Sequence, residues 1–423
     1  MLIFLLTKLE LSDTSGGSIM STKELFSTAL GLEDPWFVKD IKFDSKKRRL
    51  EIILDFSRGS KFFCPECGSQ NCPIHDTKER TWRHLDFFQH QAYLTARVPR
   101  VICKTCGVKQ ITVPWARKNT GFTLLFEIMV LNFAQFMAIE PLSVMVKVHM
   151  DSLWRILSHY VEQAHSGIDM SRMESVGIDE FSKKSGHQYI TVFGDLEQSR
   201  VVYVSDGRRS DAIHQFADFL ERRGVDTSRI KEACTDMWPA YLKGLRERFP
   251  ETSLVFDRYH VMTMINHAVD LVRRNESKEQ KVLKHTRYIW LKNAINLTQK
   301  QQKEVQSLSR LSLKTFRAYR IKEALRQLWS YRNKDEAELY LKKWYFWATH
   351  SRLDPIIEFA KTVKEHWTGI LNYFHSRITN GIIEGINSKI KTAMKRAYGF
   401  KTFRYLRTIV YLVAGKLTLP TQY

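Results

Sequence analysis

The chain has 423 residues and a formal net charge of +21, from 66 Lys and Arg against 45 Asp and Glu. Hydrophobic residues make up 43% and charged residues 26%, the balance of a globular protein and not of a disordered or collagen-like one. At about 150 residues per domain the length implies two or three domains, and the basic balance favours a polyanionic partner, nucleic acid first.

The charge is unevenly placed. Residues 1–257 hold 34 basic and 33 acidic side chains, and residues 258–352 hold 21 and 8. Residues 353–384 hold 3 and 4, and residues 385–423 hold 8 and none. The excess therefore sits in two blocks of the C-terminal half. The apolar start Met1–Leu6 is far below the roughly 20 residues that a membrane span needs. It also lacks the basic leader and cleavage site of a signal peptide. No membrane partner is expected. Residues 1–19 read as an upstream translation start or a disordered tail, and 1–60 as tail and lead-in.

Residues 61–116 read as a zinc ribbon. Cys64-Pro-Glu-Cys67-Gly and Cys103-Lys-Thr-Cys106-Gly are two knuckles, each offering two thiolates to one side of a tetrahedral ion. The glycine after each pair allows a tight turn. One structural Zn²⁺ on Cys64, Cys67, Cys103 and Cys106 follows if the knuckles meet. Residues 68–102 separate them, a longer gap than usual. Thr81–Asp86 and Gln91–Ile102 read as strands within it. Four reduced cysteines or a redox Cys-x-x-Cys would show the same pattern. Cys72 and His75 are spare ligand candidates that read as bystanders, and Cys234 reads as a buried thiol.

Residues 117–168 read as a helix-turn-helix. Helices are expected over Phe122–Met137, Leu142–Lys147 and Ser152–Ala164, with His149–Asp151 as the turn and Asp151 or Ser152 as N-cap. Ser152, Arg155 and His159 would then line the outer face of a major-groove reader. A helical packing module without a DNA role fits the same pattern.

Residues 174–257 alternate in the order β-β-β-α-β-α-β. The strands are Ser175–Phe181, Tyr189–Leu196, Arg200–Val204, Ile230–Thr235 and Ser253–Phe256, and the helices Ser210–Arg223 and Pro239–Arg248. That order is RNase H-like. In such a sheet a carboxylate within the first strand, Asp179, meets one at the tip of the fourth, Asp236. A later helix, running from Glu384 to about Tyr398, can supply a third. Three carboxylates suit two Mg²⁺ (or Mn²⁺) ions per site for phosphodiester chemistry.

These segments together resemble a bacterial insertion-sequence transposase of the ISL-three type. The resemblance rests on the knuckles, Thr81-Trp-Arg-His-Leu, Gly177-Ile-Asp179-Glu, Thr235-Asp236-Met-Trp, Phe256-Asp-Arg-Tyr-His260-Val and Asn380-Gly-Ile-Ile-Glu384-Gly-x-Asn387. It implies a DDE triad of Asp179, Asp236 and Glu384, with a zinc ribbon and helix-turn-helix that recognise terminal inverted repeats. It further implies double-stranded DNA partners, namely element ends and target. A homo-oligomer, at least a dimer on paired ends, would follow, in the bacterial cytoplasm and associated with the nucleoid.

The expected fold is thus multidomain α/β: an RNase H-like core at 169–275 and 371–423, interrupted by an all-helical insertion at 276–370. Trp290, Trp329, Trp344, Trp347 and Trp367 of the insertion can pack a core or stack on an unpaired base. Asp257 rivals Asp236 as a ligand, and His260 can contact the scissile phosphate or buttress a carboxylate. Asn387, Lys391 and Lys395 share a helical face, with Arg396 beside it, and form a stripe for DNA phosphates or a solvated basic face. A transposase-derived DNA-binding regulator and another RNase H-like nuclease are the competing readings.

Overall fold

The structure is a computed structural model that describes residues 20–184, 188–207, 210–378 and 381–420. The expectations for residues 1–19, and Asn380 of the motif above, lie outside the described residues. The chain divides into two compact units, one running to Phe133 and the other from Ala134 to Leu419. That boundary falls inside the segment read as 117–168.

The first unit opens with α1 (Thr22–Ala29), whose N-cap Ser21 and Glu24 form a reciprocal capping box. Five strands follow: β1 (Trp36–Asp44), β2 (Arg49–Phe56), β3 (Ile74–Arg83), β4 (Gln91–Cys103) and β5 (Gly107–Gln110). Their order is β1-β2-β4-β3, with β5 pairing on β4. All neighbours run antiparallel except β2 and β4, which are parallel. Leu50, Ile52 and Leu54 alternate into the core, where they meet Trp36, Trp82, Leu94, Val98 and Trp115. The stretch read as a lead-in therefore supplies two strands of this sheet. Helix α2 (Leu124–Ala134) ends at the unit boundary.

The second unit begins with α3 (Ile139–Val146) and α4 (Met150–Ser166). The turn between them comes earlier than expected. Lys147 takes a left-handed conformation, and His149, not Asp151 or Ser152, caps α4 by accepting the Asp151 N–H at 3.3 Å. Strands β6 (Ser175–Lys184), β7 (Gln188–Asp195) and β8 (Arg200–Asp206) form an antiparallel meander. Then come α5 (Ser210–Arg222), β9 (Glu232–Thr235), α6 (Pro239–Arg248) and β10 (Ser253–Phe256). The sheet order is β10-β9-β6-β7-β8, with β9 parallel to both β6 and β10. Each element lies within a few residues of its expected limits.

The sheet has two differently built faces. Val176, Ile178, Phe193 and Val202 join Ile213, Phe216 and Leu220 of α5 and Tyr241 and Leu245 of α6 in one buried cluster. The intervening residues of β6 and β7 face the other way. There Gly177 pairs directly across from Gly194.

Helices run from α7 (Arg258–Glu276) through α8 (Arg287–Leu291), α9 (Gln299–Ser309), α10 (Lys314–Gln327), α11 (Lys334–Thr349) and α12 (Asp354–Glu365) to α13 (Trp367–Ser376). The helical segment thus starts at Arg258, directly after β10, and not at 276. Trp290, Trp329 and Trp344 are buried. The indole N–H groups of Trp290 and Trp344 donate to Thr286 Oγ1 and the Ile321 carbonyl, both at 2.9 Å. Packing is therefore what these tryptophans do. Trp347 is 40% exposed. The fully buried Lys322 donates to the carbonyls of Trp290 at 2.6 Å and Lys292 at 2.9 Å. Burial pulls this lysine down to about 8.

Helix α14 (Gly381–Arg396) and helix α15 (Phe403–Ala414) close the unit. Ile383 of α14 is fully buried over the glycine pair. A Cβ at Gly177 would lie 2.4 Å from Ile383 Cγ1, and one at Gly194 would lie 2.3 Å from Ile383 Cδ1. Only glycines admit this contact. Gly194→Ala should therefore destabilise the protein by about 1–3 kcal/mol. Ile383→Ala should cost about 2–5 kcal/mol on its own. In the double variant the losses should be markedly less than additive, because the clash is gone. Urea unfolding of the four proteins measures this, and strictly additive losses would contradict the seat described here.

Candidate active site and metal centre

The two cysteine knuckles meet. Cys64, Cys67, Cys103 and Cys106 place their sulfurs within 4.8 Å of one another. Cys67 and Cys103 approach to 3.4 Å between sulfurs. Gly68 and Gly107 both adopt φ of 72°, the left-handed turn that follows each knuckle. In the first knuckle the Gly68 N–H donates to the Cys64 carbonyl at 3.0 Å. The backbone N–H groups of Cys106 and Thr105 pull the Cys103 thiol down, while the hydrogen bond with Cys67 pushes the Cys106 thiol up. Four converging sulfurs, one of them already favoured as thiolate, fit tetrahedral Zn²⁺. Cys72 stays outside the cluster, its thiol on the Ser69 carbonyl at 3.4 Å. His75 pairs with Asp76 at 3.2 Å. Cys234 is fully buried in β9.

The carboxylates gather at a site of the opposite type, on three adjoining strands of the second unit. Asp179 lies within β6, Asp236 just past β9, and Asp257 just past β10. Because Phe256 pairs with Thr235, Asp257 and Asp236 leave neighbouring strands side by side. Burial pushes the Asp179 carboxyl up to about 6. The Glu180 N–H and the His260 ring oppose this, and the charges of Asp236 and Asp257 add to it. Asp236 is also raised, chiefly by burial, against an N–H donated by Trp238 at 3.1 Å. Asp257 is 4% exposed and receives His260 Nδ1 at 3.0 Å. That bond, with Asp179 and Asp236 behind it, raises the His260 pKa and favours the imidazolium.

Glu384 stands in the first turn of α14, one residue beyond Ile383, and is exposed. It lines a cleft of about 340 Å³ together with Asp257, Arg258, Tyr259, Arg326 and Trp329. Asp257 thus borders both the Asp179–Asp236 pair and the Glu384 cleft. Among the described residues the cysteine cluster is the one group of three or more such ligands whose atoms all lie within 4.8 Å. The carboxylates share a region without closing a cage. All-oxygen donors, desolvated and mutually repelling, fit a hard divalent cation.

The rest of α14 divides by face. Asn387 does not lie on an exposed stripe: it is 4% exposed, and its Nδ2 donates to Asp179 Oδ2 at 2.6 Å. Lys391 and Lys395 are exposed and line a shallow groove of about 520 Å³ with Glu180, Ser182 and Tyr189. Arg396 donates to the Phe136 carbonyl at 2.9 Å, which ties down part of its guanidinium. On α4, Arg155 and His159 are exposed and Ser152 is half-buried, with Arg155 donating to Ser152 Oγ at 2.9 Å. The opposite face of α4 packs on α15, where Trp154 stacks on Tyr405 at 4.1 Å between ring centres.

The sequence profile of the ISL3 family, described as "Transposase", matches residues 176–410, more than half of the chain. The chain belongs to this transposase family. A second profile, "zinc-finger of transposase IS204/IS1001/IS1096/IS1165", matches residues 60–106, which include all four clustered cysteines. The chain is 26% identical over 439 residues to the transposase for insertion sequence element IS1557 of Mycobacterium tuberculosis (strain ATCC 25618 / H37Rv), covering 95% of this chain and 98% of that one. It is 25% identical over 367 residues to the transposase for insertion sequence element IS1001 of Bordetella parapertussis, covering 85% and 90%. No helix among the described residues is long and apolar enough to cross a membrane.

Sequence reasoning missed the bond from Asn387 to Asp179. A signal was present: Gly177 and Asp179 share a strand face, and Ile383 and Asn387 share a helix face one turn apart. Seating Ile383 on Gly177 brings Asn387 to Asp179.

The purified protein should contain about one Zn²⁺ per chain. Cys103→Ser should release it and lower the unfolding temperature of the first unit, since structural zinc contributes folding free energy directly. Elemental analysis and calorimetry check this. A zinc-free wild type of normal stability would contradict it.

Proposed function

We propose that the chain is a DDE transposase that binds the terminal inverted repeats of its insertion sequence and carries out DNA strand cleavage and strand transfer. The observation that carries this reading is the sheet order β10-β9-β6-β7-β8 with Asp179 and Asp236 at adjoining strands and the Glu384 helix on the same side. That arrangement supports an RNase H-like core. Asp179, Asp236 and Glu384 would hold two Mg²⁺ (or Mn²⁺) ions. When bound, such ions lower the pKa of an attacking hydroxyl or water and stabilise the leaving oxygen. Family membership and the zinc ribbon favour this reading over an unrelated RNase H-like nuclease.

The chain's own residues have separable tasks. Asp179 and Asp236 present oxygen donors that are held partly desolvated. Asp257 holds His260 at Nδ1, which keeps the imidazolium near the scissile phosphate. Lys391 and Lys395 offer charge to the phosphates of the transposon end. Helices α3 and α4 serve as the helix-turn-helix, and Arg155 and His159, with Ser152, face the base edges. Pairing two ends requires at least a dimer. The protein works in the bacterial cytoplasm on nucleoid DNA, and target DNA is its second substrate.

Asp179→Asn, Asp236→Asn and Glu384→Gln should each abolish Mg²⁺- or Mn²⁺-dependent cleavage of end DNA while leaving end binding largely intact. A cleavage assay with a parallel gel-shift measures both. Normal cleavage by Asp236→Asn with none by Asp257→Asn would transfer the second ligand role to Asp257.

Recognition should divide between α4 and α14. Arg155→Ala should reduce discrimination between end DNA and random DNA, by about 1–3 kcal/mol for a good base contact. Lys391→Ala with Lys395→Ala should weaken both duplexes alike. Each lost phosphate contact should flatten the slope of log K against log salt by about 0.9. Binding of both duplexes across a salt series measures the division. A lysine pair that alters specificity at constant slope would contradict it.

A further inference from the structure

We infer that Asn387 is a positioning residue for the Asp179 carboxylate, fixing the plane in which that group meets a divalent cation. The inference rests on the reading of Asp179 as a metal ligand. Each Asp179 oxygen receives one internal donor. The Glu180 N–H reaches Oδ1 at 2.7 Å, and Asn387 Nδ2 reaches Oδ2 at 2.6 Å. Two donors on two oxygens fix the carboxylate's rotation and leave its remaining lone pairs for a cation.

The orientation of the amide follows from the carboxylate. Turned the other way, Asn387 Oδ1 would meet Asp179 Oδ2, two acceptors in contact. In the orientation present, Asn387 Oδ1 is buried and has no hydrogen-bond partner among the described residues. A buried carbonyl without a partner is unfavourable for folding. Its neighbours on this face of α14, Ile383, Ile386 and Ile390, are all buried and apolar. A leucine would suit those apolar neighbours better than an amide, but it would leave Asp179 Oδ2 without its donor. The polar group therefore serves the carboxylate and not the packing. It acts through Asp179, as groups that orient metal ligands do, and losing such a partner typically weakens metal binding ten- to a hundredfold.

The test uses full-length, zinc-loaded wild type, Asn387→Leu and Asp179→Asn. Free Mn²⁺ is followed by electron paramagnetic resonance, and thermal unfolding is recorded without Mn²⁺. Asn387→Leu should stay folded, its gain in apolar packing set against the donor lost by Asp179, yet bind Mn²⁺ about ten- to a hundredfold more weakly. The Mn²⁺ concentration for half-maximal cleavage should rise by a similar factor. Should the leucine variant melt lower, Asn387→Ala, which adds no bulk, carries the same comparison. Wild-type Mn²⁺ affinity in the folded Asn387 variant overturns the inference while the triad stands. Wild-type affinity in Asp179→Asn overturns the ligand assignment itself, and the inference with it.

Discussion

The second unit depends on the contact between Ile383 and the paired glycines Gly177 and Gly194. A helix can approach a sheet this closely only where the strand residues beneath it lack a Cβ, and here two such residues lie directly opposite each other. The contact is apolar and carries no chemistry. Yet it sets the height and rotation of α14. Glu384 follows Ile383 by one residue and points out of the seat. Asn387 follows by one turn and points into the sheet, at the strand residue two along from Gly177. One packing contact thereby fixes which acid reaches solvent and which amide reaches Asp179.

Electrostatics oppose this assembly. Asp179 within β6, and Asp236 and Asp257 just past the adjoining β9 and β10, direct their charges at one another, and burial weakens the screening between them. His260 supplies partial compensation, held by Asp257. Folding alone would be served better by apolar residues here, and on the proposed reading these carboxyl groups serve a cation. The four-cysteine cluster of the first unit has the opposite character. There, backbone N–H groups favour a thiolate, and the ligand atoms already lie together. A closed cage suits a structural ion, and an open carboxylate set suits an ion that must also meet substrate.

How much of this was legible in the sequence follows from the range of the forces involved. The β-β-β-α-β-α-β order was readable because each segment shows its own period and ends in a turn or charge. Helix Pro239–Arg248 and strand Ser253–Phe256 have the limits expected of them. The cysteine pairs were readable because metal ligation demands fixed spacing. The joining of β1 and β2 to the first sheet was not, since β2 pairs in parallel with a strand beyond the first knuckle. Nor was the start of α7 at Arg258. Asp257 makes no side-chain cap bond there; its carboxylate is given to His260. The inward turn of Asn387 needed the pairing of a helix face with a strand face 208 residues away; each face shows in the sequence, but their register does not.

The uneven charge of the chain acquires a physical meaning from α14. Its first turn carries an acid, its buried face an isoleucine and an amide, and its later exposed turns Lys391 and Lys395. A polyanion is repelled by carboxylates, so any attraction to it has to come from nearby and cannot be buried with them. Placing the lysines two and three turns beyond Glu384 on one rigid helix keeps the cationic surface at a set distance from the acids. The basic blocks on either side of residues 353–384, themselves slightly acidic, repeat that pattern at the scale of the chain. On the proposed reading, affinity for DNA is supplied around the carboxylates, which stay free to take a cation.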